Sequence, residues 1–125
     1  MPRFERDSPA SGPLVQGFAG RGLKIDGAVY EGVLLTPQSA TPWQAPPLEA
    51  LKRADLEPLL RIDPPPEFLI LGTGAAMAFA PRPLVTEIEA LGIGVEAMDS
   101  RAAARTWGML RGEGRWIAAA IMPFG

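Results

Sequence analysis

Apolar positions along this chain fall into short runs that are separated by glycine and proline. The clearest run is Phe68–Leu71, four large apolar residues followed directly by Gly72-Thr73-Gly74. A run this short predicts a strand that is buried on both faces, as in the middle of a parallel sheet. The glycines favour a tight turn at the carboxyl end of that strand, which is where open α/β sheets bind ligands.

The N-terminal third predicts an antiparallel ribbon. Strands are expected over residues 14–18, 23–25 and 28–35; apolar and polar residues alternate in residues 23–25, and residues 28–35 end in the apolar run Val33–Leu35. Asp26-Gly27 lies between the last two strands and favours a two-residue hairpin turn with positive φ at both positions. Residues 36–47 contain four prolines and Trp43, which excludes a helix or a central strand. Trp43 is expected to cover the edge of the core or to continue the ribbon as an edge strand.

Three helices and two further strands are predicted downstream. The first helix covers residues 48–60 with Asp55 as its N-cap, and the second covers residues 83–91 and ends at Gly92. The third runs from Asp99-Ser100, whose side chains supply N-cap oxygens, to residue 110. Strands are expected over residues 94–98 and 115–122. The resulting order after residue 67 is strand, helix, strand, helix, strand, which predicts right-handed βαβ units.

The predicted fold class is therefore α/β. A mixed central sheet has βαβ units in its C-terminal half and helices packed on it, and the antiparallel β-ribbon lies at one side. Residues 1–13 mix charges with Ser, Gly and three prolines, and we expect a flexible N-terminal arm there. Residues 14–125 are then a single domain, which a chain of 125 residues accommodates.

The composition removes most catalytic chemistry. The chain has no Cys and no His, so it has no disulfide, no thiolate nucleophile and no histidine base. A metal site would need oxygen ligands alone, and we predict neither a metal nor a cofactor. No pair of carboxylates has a spacing typical of an acid–base couple. The residues thus favour a non-enzymatic role and leave catalysis as an open alternative.

Charge and hydropathy limit the classes of partner and the cellular location that we expect for this chain. A formal net charge of −2 argues against a general nucleic-acid binder. The N-terminus has no apolar segment typical of a secretory signal. The longest apolar run, Ile117–Met122, is far shorter than the roughly 20 residues that span a bilayer. These features predict a cytoplasmic protein without a transmembrane segment.

One candidate ligand site lies where two predicted strands end. Gly72-Thr73-Gly74 is similar to the start of a dinucleotide fingerprint, but Met77 occupies the place of the third glycine and no helix follows at once. The end of the next strand would lie beside this loop and could hold a small polar or anionic ligand there. The candidate residues are Gly72, Thr73, Gly74, Asp99, Ser100 and Arg101. Helix capping accounts fully for Asp99 and Ser100 and is the favoured interpretation of these two residues.

A second candidate surface would contact a protein partner. Residues 75–83 form an apolar segment bounded by proline after the glycine loop, which we call the crossing, and it contains Met77 and Phe79. Trp43 adds a large aromatic ring. Arg105 is one of four arginines between residues 101 and 115, which suit a phosphate or an acidic partner. A helix face opposite an apolar stripe is, however, normally just solvated.

Several spaced motifs carry a family resemblance that covers roughly residues 14 to 123. They are residues 32–37 with Trp43 downstream, Asp55-Leu56, residues 68–74, residues 92–99, and the helix through Ala103, Thr106, Trp107 and Leu110 that leads to Glu113-Gly114-Arg115. The chain resembles a small domain-of-unknown-function family that includes mitochondrial respiratory complex I assembly factor 3 and the adipogenesis-associated domain protein. Many bacterial members are stand-alone chains of similar length.

The resemblance implies a single three-layer α/β domain and no established catalytic residue. Relatives commonly have Asn where this chain has Gly108, so a role for that amide does not transfer. Two hypotheses follow. The favoured one is a non-enzymatic binding or assembly-factor-like protein with an unknown protein partner, which helps a respiratory or membrane complex mature. The alternative is a small-molecule or nucleotide-binding domain that uses the Gly72-Thr73-Gly74 loop. Neither predicts an oligomeric state.

Overall fold

The computed structural model describes residues 12–124, which contain eight strands and three α-helices. The strands are β1 (Val15–Ala19), β2 (Gly22–Ile25), β3 (Ala28–Tyr30), β4 (Val33–Leu35), β5 (Ala40–Pro42), β6 (Phe68–Gly72), β7 (Gly94–Met98) and β8 (Ala118–Ile121). The helices are α1 (Glu57–Leu60), α2 (Arg82–Glu89) and α3 (Ser100–Gly112), and 3-10 turns cover Leu48–Ala50 and Arg53–Leu56. Within the described residues, no helix has the length and apolar character that crossing a membrane requires.

The first sheet is an antiparallel ribbon in the order β1-β2-β3. Asp26 and Gly27 connect β2 to β3 with φ values of 50° and 84°, and Ile25 pairs with Ala28 across this turn. Positive φ at both central residues is the geometry of a type I′ turn, which matches the right-handed twist of the strands it joins. The predicted hairpin is confirmed.

The second sheet has five strands in the order β5-β4-β8-β6-β7. Strand β6 runs parallel to both of its neighbours, β8 and β7, whereas β4 pairs antiparallel with β5 and β8. The mixed sheet and the parallel βαβ unit from β6 to β7 are therefore confirmed. Strand β6 has a neighbour on each side, as predicted for a strand buried on both faces, whereas β8 is the middle strand of the five and β7 lies at one edge.

The central sheet separates two cores, which makes the domain three layers thick. Side chains alternate along β6: Leu69 and Leu71 enter one core and Ile70 enters the other. Helices α1 and α2 cover the first core. In α2, Leu84 and Ile88 are four residues apart and therefore lie on the same face of the helix, which packs on this core. The second core is closed by α3 and the ribbon, with Trp107 fully buried at its centre.

The expected strand over residues 28–35 is wrong, because the chain changes sheets in the middle of it. Strand β3 ends at Tyr30 in the ribbon, and β4 begins at Val33 in the central sheet. Gly32 lies between them with a φ of 99°, and a Cβ at this position would collide with the carbonyl oxygen of Trp43. Glycine is the residue that tolerates both constraints.

The expected helix over residues 48–60 is also wrong in its extent. Leu51 has an extended backbone with a ψ of 131°, and α1 covers only Glu57–Leu60. Pro58 explains the late start, since it has no N–H for the carbonyl of Ala54 four residues earlier. Asp55 is not the N-cap of a helix; its carboxylate instead accepts a hydrogen bond of 2.9 Å from the N–H of Lys52.

The expected N-terminal arm lies almost wholly outside the described residues. Residues 1–11 and residue 125 are not described, whereas Pro13 is buried. The carbonyl oxygen of Pro13 accepts a hydrogen bond of 2.9 Å from the indole nitrogen Nε1 of Trp107. Pro13 thus contacts the second core directly, and the domain boundary itself stays a prediction.

Candidate functional site

The glycine loop after β6 does lie beside the start of α3, as predicted. The N–H of Ser100 donates to the carbonyl oxygen of Gly74 at 2.8 Å, and the N–H of Gly74 donates to Ser100 Oγ at 2.8 Å. The N–H of Thr73 donates to the carbonyl oxygen of Met98, the last residue of β7, at 2.9 Å. Parallel strands end at the same edge of a sheet, which is why two distant segments meet here.

Ser100 holds this junction together from inside and does not act as a capping residue. Its side chain is completely buried, and its hydroxyl donates to the carbonyl oxygen of Met122 at 2.7 Å while accepting from Gly74. Asp99 alone is the N-cap of α3, since its Oδ1 accepts from the N–H of Ala102 at 2.9 Å. The expectation that capping accounts for both residues is therefore wrong for Ser100.

Gly72 is required by close packing. A Cβ there would lie 3.0 Å from Ile121 Cγ2, 3.0 Å from Ser100 Oγ and 3.1 Å from Ala103 Cβ. The missing side chain lets the first turn of α3 approach β6 and β8. Gly72 therefore has a structural reason to be glycine that needs no ligand.

Thr73 uses its hydroxyl within the loop. Its Oγ1 lies 2.7 Å from the carbonyl oxygen of Ala76 and 3.1 Å from that of Met98, and it accepts from the N–H of Ala78 at 3.1 Å. The loop is therefore an internally hydrogen-bonded junction. A ligand would have to displace these contacts in order to bind the same groups.

The guanidinium of Arg101 stacks on aromatic rings. Its guanidinium carbon lies 4.2 Å from the ring centroid of Phe124 and 5.8 Å from that of Phe18. Both distances are typical of cation–π contacts. Phe18 and Phe124 also meet edge to face, with ring centroids 5.5 Å apart. Arg101 therefore joins the ribbon to the C-terminal segment.

A shallow cavity of about 370 Å³ adjoins the glycine loop. Its other walls are Ala45, Pro46, Pro47, Leu48, Met122 and Pro123, none of which is charged. A nucleotide or small anion needs donors or cations at its phosphate or carboxylate groups. The lining of this cavity therefore gives no support to an anionic ligand. Within residues 12–124, no group of acidic residues is arranged to hold a metal ion.

An open groove of about 680 Å³ lies on the α2 side of the sheet. It is bounded by the crossing that contains Met77 and Phe79, by Arg82 and Val85 of α2, and by residues 95–97 of β7. Met77 is 47% exposed and Phe79 is 82% exposed, which is unusual for large apolar side chains. Met77 and Phe79 therefore lie together at this groove, and their role as a partner surface stays a prediction.

The remaining two residues of the candidate partner surface lie elsewhere. Trp43 is only 8% exposed and packs into the core between the sheet and α1. Little of its ring is therefore accessible to a partner. Arg105 is exposed on α3 and borders a separate shallow cavity with the ribbon. Val85 and residues 95–97 also line the groove, and no sequence pattern predicted this. That β7 is an edge strand becomes known only when the strand order is known.

One ion pair crosses the opposite end of the central sheet. Arg115 donates to Glu67 Oε1 from Nε at 3.0 Å and from Nη2 at 2.7 Å. This hydrogen bond from Arg115 lowers the pKa of Glu67, with a further contribution from the backbone N–H of Trp116. The pair lies before β6 and before β8, so it fixes the strand starts and takes no part in the groove.

Comparison with known proteins gives relatives over nearly the whole domain. An uncharacterised protein of Rhodobacter capsulatus is 34% identical over 110 residues, which is 87% of this chain and 83% of that protein. NADH dehydrogenase [ubiquinone] 1 alpha subcomplex assembly factor 3 of Danio rerio is 28% identical over 91% of this chain. The chain spans only 66% of that assembly factor's own length.

Solved structures give the same result for the fold. A crystal structure of a Bordetella parapertussis protein superposes with a TM-score of 0.81 at 27% identity, over 92% of this chain and 99% of that one. A family model described as "Protein of unknown function (DUF498/DUF598)" matches residues 15–122. This range contains every strand and helix described above, and it covers the segments from which the resemblance was inferred. The chain therefore belongs to the DUF498/DUF598 family.

Proposed function

We propose that this chain is a non-enzymatic, assembly-factor-like protein that binds a protein partner and helps a respiratory or membrane complex mature. The observation that carries the proposal is the open apolar groove at the β7 edge, where Phe79 is 82% exposed. Exposed apolar surface of this kind is typical of interaction sites on soluble domains. The groove is the partner-binding surface.

The relatives support the same kind of role. The assembly factors of Danio rerio and Bos taurus match 91% and 96% of this chain. They cover the domain that contains the groove, although the chain spans about two thirds of their length. Fold alone does not transfer function, so the respiratory or membrane complex is part of the proposal.

Site-specific photocrosslinking tests this function. Benzoylphenylalanine replaces Phe79 in the full chain, which is then illuminated with detergent-solubilised membranes from its native cells. We expect one saturable crosslinked product that contains a subunit or assembly intermediate of a respiratory or other membrane complex. Unlabelled chain should compete for this product.

A matched control uses the same probe at Met109, which is 60% exposed on α3 and lies outside the groove. It should give only background. If the two positions yield the same products, or if neither product is displaced by unlabelled chain, the groove does not bind a partner and the proposal is wrong.

The alternative of a small-molecule or nucleotide-binding domain stays a prediction. It would have to use Gly72, Thr73 and Gly74, whose hydrogen-bonding groups are engaged with Ser100, Met98 and Met122. Among residues 12–124, no charged side chain lines the cavity beside them. We therefore favour the protein-binding role.

A further inference from the structure

We infer that the partner binds as an added β-strand on the outer edge of β7, with apolar side chains in the groove and a basic residue beside Glu96. This inference rests on the proposed function and names how the partner is recognised. Its occupant is an extended segment of a different protein.

The edge of β7 presents unpaired backbone groups at defined residues. In a parallel pair, alternate residues of a strand direct their N–H and C=O toward the neighbour. The N–H of Gly94 donates to Glu67, and the carbonyl oxygen of Met98 accepts from Thr73. Gly94, Glu96 and Met98 therefore face β6, which leaves the N–H and C=O groups of Val95 and Ala97 directed outward. Among the described strands, β7 pairs only with β6.

The groove follows the same two-residue period. Val95 packs against the core on the α2 side, and Ala97 shares that face because side chains alternate along a strand. Both residues line the groove together with Met77 and Val85. Every second side chain of an added strand would therefore enter the space between β7 and the crossing, whose lining is mainly apolar and includes one cation, Arg82. Main-chain bonds give affinity in this binding mode, and the side-chain pockets give specificity.

The charge of Glu96 argues against a second copy of this chain as the occupant. Two copies of this chain could pair their β7 strands antiparallel across a two-fold axis. If the outward N–H and C=O groups of both Val95 and Ala97 are to form hydrogen bonds, Val95 of one copy must pair with Ala97 of the other. Glu96 would then lie directly opposite its own counterpart. Like charges directly opposite each other destabilise a sheet, whereas opposite charges stabilise it. A foreign strand with Lys or Arg at this position is the complementary occupant.

Capped synthetic peptides test the inference without the cellular partner. The probe is acetyl-Thr-Val-Lys-Val-Thr-amide, and its matched control has Glu in place of the central Lys. We expect millimolar amounts of the Lys peptide to shift the amide resonances of Val95, Ala97, Met77 and Val85 of the isotope-labelled full chain. The Glu peptide should bind about three- to fivefold more weakly. Absence of shifts, or equal binding of the two peptides, would overturn the inference.

Two proline variants separate backbone pairing from apolar contact. Val95→Pro removes an outward N–H that makes no hydrogen bond in the sheet, and edge strands tolerate such a change. Val29→Pro is its match on β3, because Val29 lies beside the Ile25–Ala28 pair that closes the hairpin and also faces outward. We expect Val95→Pro to weaken the Lys peptide about tenfold or more and Val29→Pro to leave it unchanged. Equal binding by both variants would contradict strand addition.

The outcomes distinguish this inference from the proposed function. If the Phe79 probe captures a membrane-complex subunit equally well with and without Val95→Pro, the chain binds its partner but not by strand addition. If the wild-type chain is itself a dimer that Val95→Pro abolishes, the occupant is a second copy and the inference is wrong. Loss of the crosslink in Val95→Pro alone supports both.

Discussion

Replacing Ser100 by Ala tests whether the junction between the glycine loop and α3 is structural. The substitution removes one hydroxyl that is fully buried and bridges two backbone groups. Alanine has a better helix propensity than serine, and Asp99 still caps α3 through its bond to Ala102. Any loss of stability therefore reports the lost bridge and not a weakened helix.

The magnitude follows from the two groups that lose their partner. The N–H of Gly74 and the C=O of Met122 lie 2.8 Å and 2.7 Å from Ser100 Oγ. A buried backbone group left without a hydrogen bond costs about 1–3 kcal/mol. We expect Ser100→Ala to lower the free energy of unfolding by about 2–4 kcal/mol. For a domain of this size that corresponds to a fall in Tm of roughly 6–12 °C.

Urea unfolding followed by tryptophan fluorescence measures this change, because Trp107 is fully buried. The matched control is Ser39→Ala, whose Oγ lies 2.8 Å from Thr36 Oγ1 at an exposed turn. Water replaces a lost exposed bond, so the control should change stability by no more than about 0.5 kcal/mol. A loss below about 0.5 kcal/mol in Ser100→Ala would refute the structural interpretation and return Ser100 to the ligand-site hypothesis.

Two further predictions concern packing and pH. Gly72→Ala should lower stability by about 1–3 kcal/mol in the same assay, because the added Cβ overpacks the contact with Ile121 and Ala103; Gly17→Ala, with nothing within 4 Å of its Cβ, should not. Carboxyl NMR titration should show the pKa of Glu67 rising toward its ordinary value in Arg115→Gln, since Arg115 is the main cause of its lowering. Because the pKa of Glu67 is lower in the folded state than in the unfolded state, its ionised carboxylate stabilises the fold at pH values above the ordinary carboxyl pKa. This stabilisation is lost as the pH falls through the pKa that Glu67 has in the folded state. The wild type should therefore lose more stability on acidification than Arg115→Gln, and parallel pH profiles would contradict this.

The elements that sequence patterns predicted correctly are those whose signals are local. The apolar run Phe68–Leu71 and the dipeptide Asp26-Gly27 each contain most of the information that determines their backbone. The strand over residues 28–35 failed for the opposite reason: its break at Gly32 is imposed by the backbone of Trp43, which is distant in sequence. Glu31-Gly32 interrupts the apolar pattern at this point, but an isolated glycine within a strand pattern is equally typical of a bulge and does not identify a change between sheets.

The candidate site divides in the same way. Strand ends could be placed together because the βαβ rule brings the glycine loop to the start of α3. The role of Ser100 could not be predicted, since its second partner, Met122, directly follows β8 and the sequence does not state which strand lies beside β6. The same limit hid the groove, because Val95 and Ala97 border it only when β7 is an edge strand.

The two edges of the central sheet explain why β7 and not β5 is suited to receive a strand. Strand β5 has three residues and ends in Pro42, and a proline with no N–H is a common protection of an exposed edge. Strand β7 has five residues without proline, so its hydrogen-bonding edge is continuous. Its protection is the single charge of Glu96, which opposes pairing with another copy of itself but not with a basic strand. A strand edge that is protected only by a charge can still pair with a strand of opposite charge, whereas an edge that contains proline lacks an N–H for any partner.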